Sequence, residues 1–376
     1  MSRRLGPEET KYWLLGQAQP FNIVLAAGIA GWRPPVALAL PGIELARGLP
    51  RWTAASPEGR IETATGPWPA VAQDLLRAPL PAAGGGAWRL ALVDDGMETV
   101  LLLALPHALV DARGGLVLLE RILAGAAIPA QPPSFEELLD EAAYPDPAHQ
   151  DEVLGWWSRR VTERVRALDL AAIARLLPAT APARLTLATL DGPAFGRLQE
   201  RCRNEETTLH GAVVAALVPE AGAGRLGHAV DMRRFLPEPL AGETWFALSS
   251  LVTPTPDAAG YWERARQARA LVSAGLAAGE AGAALAELPR TLAAETRRSM
   301  ARPPLTVSNG GRATLPSGPH GQATWYMALA GANAGGPVLS VSGAGERLML
   351  ASVVPDDQAD LPVQAIARRL HEAASA

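Results

Sequence analysis

The 376-residue chain is poor in cysteine, in lysine and in long apolar runs, and each shortage removes a class of function. A single cysteine, Cys202, excludes an internal disulfide and a CxxC-type zinc site. Its setting, LQERCRNEETT, reads as a helix of a reduced, cytosolic protein. Lys11 is the only lysine, so 34 − 1 = 33 of the basic residues are arginine. With the Ala, Gly and Pro load, that bias reads as the codon usage of a GC-rich bacterial genome rather than as chemistry. The net charge of −4 and the lack of a basic run make no case for nucleic acid. The longest apolar runs, FNIVLAAGIAGW and TVLLLALP, are too short to span a bilayer. The opening MSRRLGPEETKYW lacks the apolar core of a signal peptide. A soluble, cytoplasmic protein without a membrane span is expected.

Several familiar signatures are missing as well. There is no Walker loop, GxSxG elbow or HExxH motif. Gly222, Gly224 and Gly227 satisfy GxGxxG, but a predicted helix precedes them and a strand follows. A dinucleotide site needs the opposite order, so they read as a turn. No metal is expected, because His107 and Asp111 have no third ligand at a recognisable spacing. His149, His210, His228, His320 and His371 each stand alone and read as surface or packing residues.

What remains is an α+β pattern. FNIVLAAGIAG is a strand, and AWRLALVDD with METVLLLALP forms a hairpin turning at Asp94-Asp95-Gly96. Leu116, Leu119, Ile122 and Leu123 keep helical spacing. GAAIPAQPPS is a Pro-rich loop, and DEVLGWWSRRVTERVRAL is a second helical pattern. LDLAAIARLLPATAPA marks a boundary between an N-terminal lobe, 1–178, and a C-terminal lobe, 179–376. In the second lobe ARLTLATLD is a strand and GPAFGRLQERCRN a helix. TTLHGAVVAALV is a further helix, capped by Thr207 or Thr208. GHAVDMRRFLP, WFALSSLVTP, PPLTVSNGG, ATWYMALAG, PVLSVSGAG and RLMLASVVP are strands. YWERARQARALVSAGLAAG interrupts them as a helix, and LPVQAIARRLHEAAS closes the chain as an amphipathic one.

The stretch VLLLALPHALVDARGG ends a strand on His107, with Asp111 four residues on. Alone, it fits a packed core histidine as well as a general base. Three further segments follow in order: TTLHGAVVAAL, VDMRRFLP with Asp231, Arg233 and Arg234, and LTVSNGG with Ser308, Asn309 and Gly310. With these, and with the opening RRLGPEETKYWLLGQAQPFNIVL, the sequence resembles the superfamily of condensation domains and chloramphenicol-acetyltransferase-like acyltransferases. It is similar in particular to free-standing bacterial members, the mycobacterial polyketide-associated acyltransferases and the alcohol acetyltransferases. The resemblance runs over nearly the whole length.

It implies two similar α+β lobes, each a two-layer sandwich, with a tunnel between them. His107 would be the general base, removing a proton from an alcohol or amine acceptor as it attacks a thioester. Asp111 would point away from the tunnel and pair with an arginine, Arg233 or otherwise Arg234. Ser308, Asn309 and Gly310 would lie by the tunnel, with the oxyanion donor left open between Asn309, Ser308 and a backbone N–H. No cofactor would be bound, acyl-coenzyme A or a phosphopantetheine thioester serving as co-substrate. A carrier protein would act in trans, in bacterial natural-product or lipid biosynthesis. The sequence departs from the family in three places: Pro106 replaces a first histidine, Ala112 replaces the glycine after the aspartate, and the region around GWRPPVALALPGIELARGLP is shortened. Those departures support the alternative of a degenerate docking module, or of the same site used for dehydration, cyclisation or hydrolysis.

Overall fold

The computed structural model describes residues 2–18, 20–35, 38, 40–46, 49–56, 60–80, 88–94, 96, 98–127, 134–136, 138, 163–176, 182–221, 224–236, 244–282, 284–285, 305–331 and 336–375. Strand β1 (Ser2–Arg4) and helix α1 (Pro7–Ala18) lead into β2 (Asn22–Ala30), β3 (Leu40–Ala46), β4 (Leu49–Ser56) and β5 (Arg60–Ala64). Helix α2 (Trp68–Arg77), β6 (Arg89–Asp94), β7 (Thr99–Pro106), α3 (Ala112–Ala124) and α4 (Leu170–Leu176) follow. The remainder comprises β8 (Ala183–Leu190), α5 (Gly192–Asn204), α6 (Leu209–Ala221), β9 (Arg225–Asp231), β10 (Leu248–Pro254) and α7 (Tyr261–Ala277). It closes with β11 (Thr306–Ala313), β12 (Ser317–Gly318), β13 (Gly321–Ala330), β14 (Val338–Ala344), β15 (Arg347–Pro355) and α8 (Val363–Ser375).

Two six-stranded sheets organise these elements, ordered β12-β13-β2-β7-β6-β5 and β10-β9-β11-β14-β15-β8. The near-continuous apolar runs of β2 and β7 are explained by their central places in the first sheet, where almost every side chain is buried. β6 and β7 pair antiparallel as expected, with Gly96 at φ +86° and its N–H donating to Asp94 Oδ1, while Asp95 lies outside the described residues. A third sheet, β1-β4-β3, falls in and around the region that reads as shortened.

The lobe expected over 179–376 lends two strands to the sheet of the lobe expected over 1–178. β12 and β13, from the second half, complete the first sheet through antiparallel pairing of Gln322–Ala330 with Ile23–Ala30. In return, α2 packs on β8 of the second sheet, with Arg77 Nε donating to the Ala183 carbonyl (2.6 Å) and the Leu185 N–H to Gln73 Oε1 (3.0 Å). No single chain position therefore separates the two bodies. Much of the helix read from Asp151 lies outside the described residues, as do 128–133, 177–181, His149, Gly222 and Ala223. Residues 163–166 are helical. Of the two cap candidates for α6, it is Thr208 whose Oγ1 accepts the Gly211 N–H (3.0 Å), while Thr207 Oγ1 donates to the Ala265 carbonyl.

Candidate active site

His107 stands one residue beyond the end of β7. Pro106 cannot continue the ladder as a donor, and its carbonyl accepts the Leu109 N–H (2.9 Å), turning the chain. The loop is then stitched down on both sides. The His107 N–H donates to the Phe21 carbonyl at the mouth of β2, and the Asp111 N–H to the Trp245 carbonyl (each 3.0 Å). His107 Nδ1 lies 3.0 Å from the Val110 carbonyl. A carbonyl only accepts, so Nδ1 carries the proton and Nε2 is the basic nitrogen of the neutral ring.

Three aromatic rings surround the imidazole. Phe21 stacks on it at 5.7 Å and 15°, Tyr12 of α1 lies 4.6 Å away, and Phe246 meets it edge-on at 6.1 Å. Burial among them pushes the His107 pKa below its ordinary value, against the opposing pull of Asp111. Burial also lifts the Tyr12 phenol to about 12, so its hydroxyl is protonated throughout the neutral range. None of these three rings is marked by a motif. Tyr12 and Phe21 lie in the opening segment that carries the family resemblance, which does not single them out, and Phe246 reaches the site through a segment more than a hundred residues downstream.

Asp111 is turned into the protein. It is the N-cap of α3, with Oδ1 accepting from the Gly114 N–H (2.8 Å) and the Arg113 N–H (3.0 Å). Oδ2 accepts from the Ala247 N–H (2.8 Å). Arg233 completes the set, Nη1 donating to Oδ2 at 2.9 Å and Nη2 to Oδ1 at 3.1 Å. Burial disfavours the charge, but the Arg233 guanidinium and these N–H donors hold the carboxyl below the usual carboxylate range. Arg233 is also tied to the Thr244 carbonyl and to Asp231. Burial opposes its charge too, yet Asp111 and Asp231 raise its pKa further. Arg234 is exposed. Asp111 therefore makes no contact that would relay a proton to His107; it fixes a loop.

Helix α3 begins in a crowded seam. A Cβ on Gly114 would stand 1.9 Å from the Trp245 carbonyl oxygen, and one on Gly115 would meet Leu25 and the Tyr326 hydroxyl. Ala112, half-buried at the first helical position, lends its carbonyl to that hydroxyl (2.6 Å). Ser308 and Asn309 lie on β11, a strand that runs against α3. Asn309 Oδ1 accepts the Gly311 N–H (2.9 Å), which leaves the side-chain NH₂ as its donor. Gly310 lies in an irregularity of the β11–β14 ladder, between Asn309 and Arg312. Gly311, at φ +69°, supplies the left-handed residue there. Among the described residues, no group of three or more His, Cys, Asp or Glu is placed to hold a metal ion. None of the described helices is long and apolar enough to cross a membrane.

His210 and His228 prove not to be isolated. His210 Nε2 lies 2.9 Å from His228 Nδ1, and His228 Nε2 lies 2.8 Å from Thr253 Oγ1. Burial lowers their pKa values to about 4 and about 3, so both are neutral packing groups joined in one chain of hydrogen bonds.

No family model and no curated protein matches the sequence. Solved structures do. The trichothecene 15-O-acetyltransferase of Fusarium sporotrichioides superposes with a TM-score of 0.68 at 12% identity, over 99% of this chain and 94% of that one. Polyketide synthase associated protein 5 of Mycobacterium tuberculosis gives 0.65 at 14%, over 99% and 98%. The condensation domain of the Monacolin K polyketide synthase gives 0.65 at 14%, over 100% and 98%. Along its whole length the chain has the α+β fold of the condensation domains and chloramphenicol-acetyltransferase-like acyltransferases.

Proposed function

We propose that the protein is an acyltransferase that moves an acyl group from a thioester to an alcohol or amine, with His107 as general base. The observation that supports this reading is the state imposed on His107. Its ring is neutral, Nδ1–H is committed to the Val110 carbonyl, and the adjacent carboxylate is neutralised by Arg233. Nε2 is thereby the one strong proton acceptor of the loop. It takes the proton from the acceptor O–H or N–H as that atom attacks the thioester carbonyl. When the tetrahedral intermediate collapses, the imidazolium returns the proton to the departing thiolate. The Asn309 NH₂, the Ser308 hydroxyl and a backbone N–H are the candidate oxyanion donors.

No bound cofactor enters this scheme. The donor is acyl-coenzyme A or an acyl chain on the phosphopantetheine arm of a carrier protein, and natural-product or lipid assembly in a bacterium is the setting. The test is thiol release from acyl-coenzyme A thioesters of graded length, with and without a pool of alcohols and amines, for wild type and His107→Ala. Release that needs both an acceptor and His107 supports transfer, with a loss of roughly 10²–10⁴ in the variant. Release without an acceptor makes the protein a hydrolase. Equal release by both proteins overturns the role of His107. If coenzyme A thioesters are refused, acylated carrier proteins replace them, and refusal of both leaves the docking reading.

A further inference from the structure

A circuit of charged groups links the protein surface to the loop that carries His107. Asp231 ends β9 and caps the 3-10 turn Met232–Phe235. Its Oδ1 accepts from the Arg233 N–H (3.1 Å) and from Arg233 Nη1 (3.0 Å). Its Oδ2 accepts from Arg113 Nη1 (2.9 Å). The backbone N–H of Arg113 donates in turn to Asp111 Oδ1, so the path closes through Asp111, Arg233, Asp231 and Arg113. The inner pair is buried and Arg113 is mostly exposed, with Asp231 between them.

Asp231 matters because of how the Arg233 fork is filled. A guanidinium has five N–H donors. Here Nε and Nη2 reach the Thr244 carbonyl, Nη2 and Nη1 reach Asp111, and the second N–H of Nη1 reaches Asp231. Without Asp231 the second N–H of Nη1 loses its acceptor, and the outer edge of the guanidinium is held against Asp111 only by the Thr244 carbonyl on the opposite side of the fork. Movement of Asp111 carries the Val110–Asp111 peptide with it. That peptide is held from one end by the Trp245 carbonyl, and its own carbonyl is the acceptor for His107 Nδ1–H.

We propose that Asp231 is a positioning residue for His107, anchoring Arg233 against Asp111 so that the Val110 carbonyl stays aimed at Nδ1. This rests on the acyl-transfer reading for its kinetic part. Asp231→Ala and Asp231→Asn are compared with wild type on a thioester that wild type turns over, with His107→Ala as the floor. In parallel, nitrogen-15 NMR of histidine-labelled protein reads the tautomer of His107, its signals assigned by their loss in His107→Ala.

The expected result for Asp231→Ala is a kcat lowered roughly tenfold to a hundredfold, the scale of a displacement near 1 Å. KM stays within about twofold, because ground-state binding is untouched. The Nδ1-protonated signature weakens. Asp231→Asn keeps a carbonyl oxygen for Arg233 and recovers most of the rate. Wild-type kcat in Asp231→Ala beside a lowered melting temperature overturns the proposal, as does a loss confined to KM. If wild type shows no release that depends on His107, the acyl-transfer reading has failed instead, and the tautomer decides alone: an unchanged signature in Asp231→Ala sinks the positioning role. Should Asp231→Ala not fold, Asp231→Ser, which retains a smaller acceptor, takes its place.

Discussion

The Asp111 carboxylate accepts from three backbone N–H groups as well as from both Nη atoms of Arg233, and that crowding sets what a change there does. Asp111→Asn keeps one oxygen to cap α3 but replaces the other by an NH₂ facing the Ala247 N–H and the guanidinium. Breaking one side of a buried pair costs about 3–5 kcal/mol, and the expected outcome is a lower melting temperature at neutral pH. Acid narrows the gap. The Asp111 pKa is depressed in the fold, so its contribution is fully present above the unfolded value of about 3.9 and is lost as pH falls through the folded value. Melting curves of the two proteins should therefore converge on acidification below about pH 4, and an equal gap at all pH values would mean that Asp111 is not charged in the fold. The motif places His107 and Asp111 within one loop, and the arginine that pairs with Asp111 was legible only through the family resemblance, which left it between Arg233 and Arg234; the structure has Arg233. The aromatic shell was not legible, since Tyr12, Phe21 and Phe246 are ordinary core residues until the loop at Pro106 brings the imidazole to them. Nor was the His210–His228 contact, which spans 18 residues and exists only because a helix crosses a strand.

At the scale of the element, α3 and α5 each contain a glycine that helical propensity alone would replace. Alanine in mid-helix is favoured over glycine by roughly 0.5–1 kcal/mol. At Gly196 nothing lies within 4 Å of the added Cβ, so Gly196→Ala is expected to raise the melting temperature. At Gly114 the added Cβ lands 1.9 Å from the Trp245 carbonyl oxygen, which is also the acceptor for the Asp111 N–H. Backbone must move, and overpacking of this kind costs about 1–3 kcal/mol, more than propensity returns. Gly114→Ala should melt lower and lose activity with it; a stabilised variant would show that α3 can shift without consequence. The strands that sequence reading recovered are those with long apolar runs or clear turns, such as β2, β7 and β15. Strands β1, β3, β4 and β5 escaped because they are short or rich in Arg, Pro and Gly. Helix α2 escaped because it buries only Ala72, Leu75 and Leu76 over 10 residues.

At the scale of the molecule, ATWYMALAG was readable as a strand, but nothing in it says which sheet it joins. Its apolar face would suit either, and only the pairing of β13 with β2 decides. That choice has a thermodynamic consequence. Without the second half of the chain, β2 becomes an edge strand with its ladder to β13 unmade, and Tyr326 no longer ties down the first turn of α3. The second half loses its contacts with α2 along β8 and the Asp111 partner of Arg233. Each half thus exposes an apolar edge and a buried charge that the other satisfies. The expected outcome for a fragment of residues 1–178 alone is no cooperative melting transition, whereas co-expression with 179–376 restores one. The intact chain should unfold in a single step, with far-ultraviolet circular dichroism and tryptophan fluorescence coincident, because the first sheet is incomplete without β12 and β13 and the buried Asp111–Arg233 pair spans both halves. Two separated transitions, or a folded 1–178 fragment, would mean that β13 is an accessory edge, and the site would then be tied across the two halves by the contacts of Asp111 with Arg233, Ala247 and Trp245 and by the Arg113–Asp231 pair.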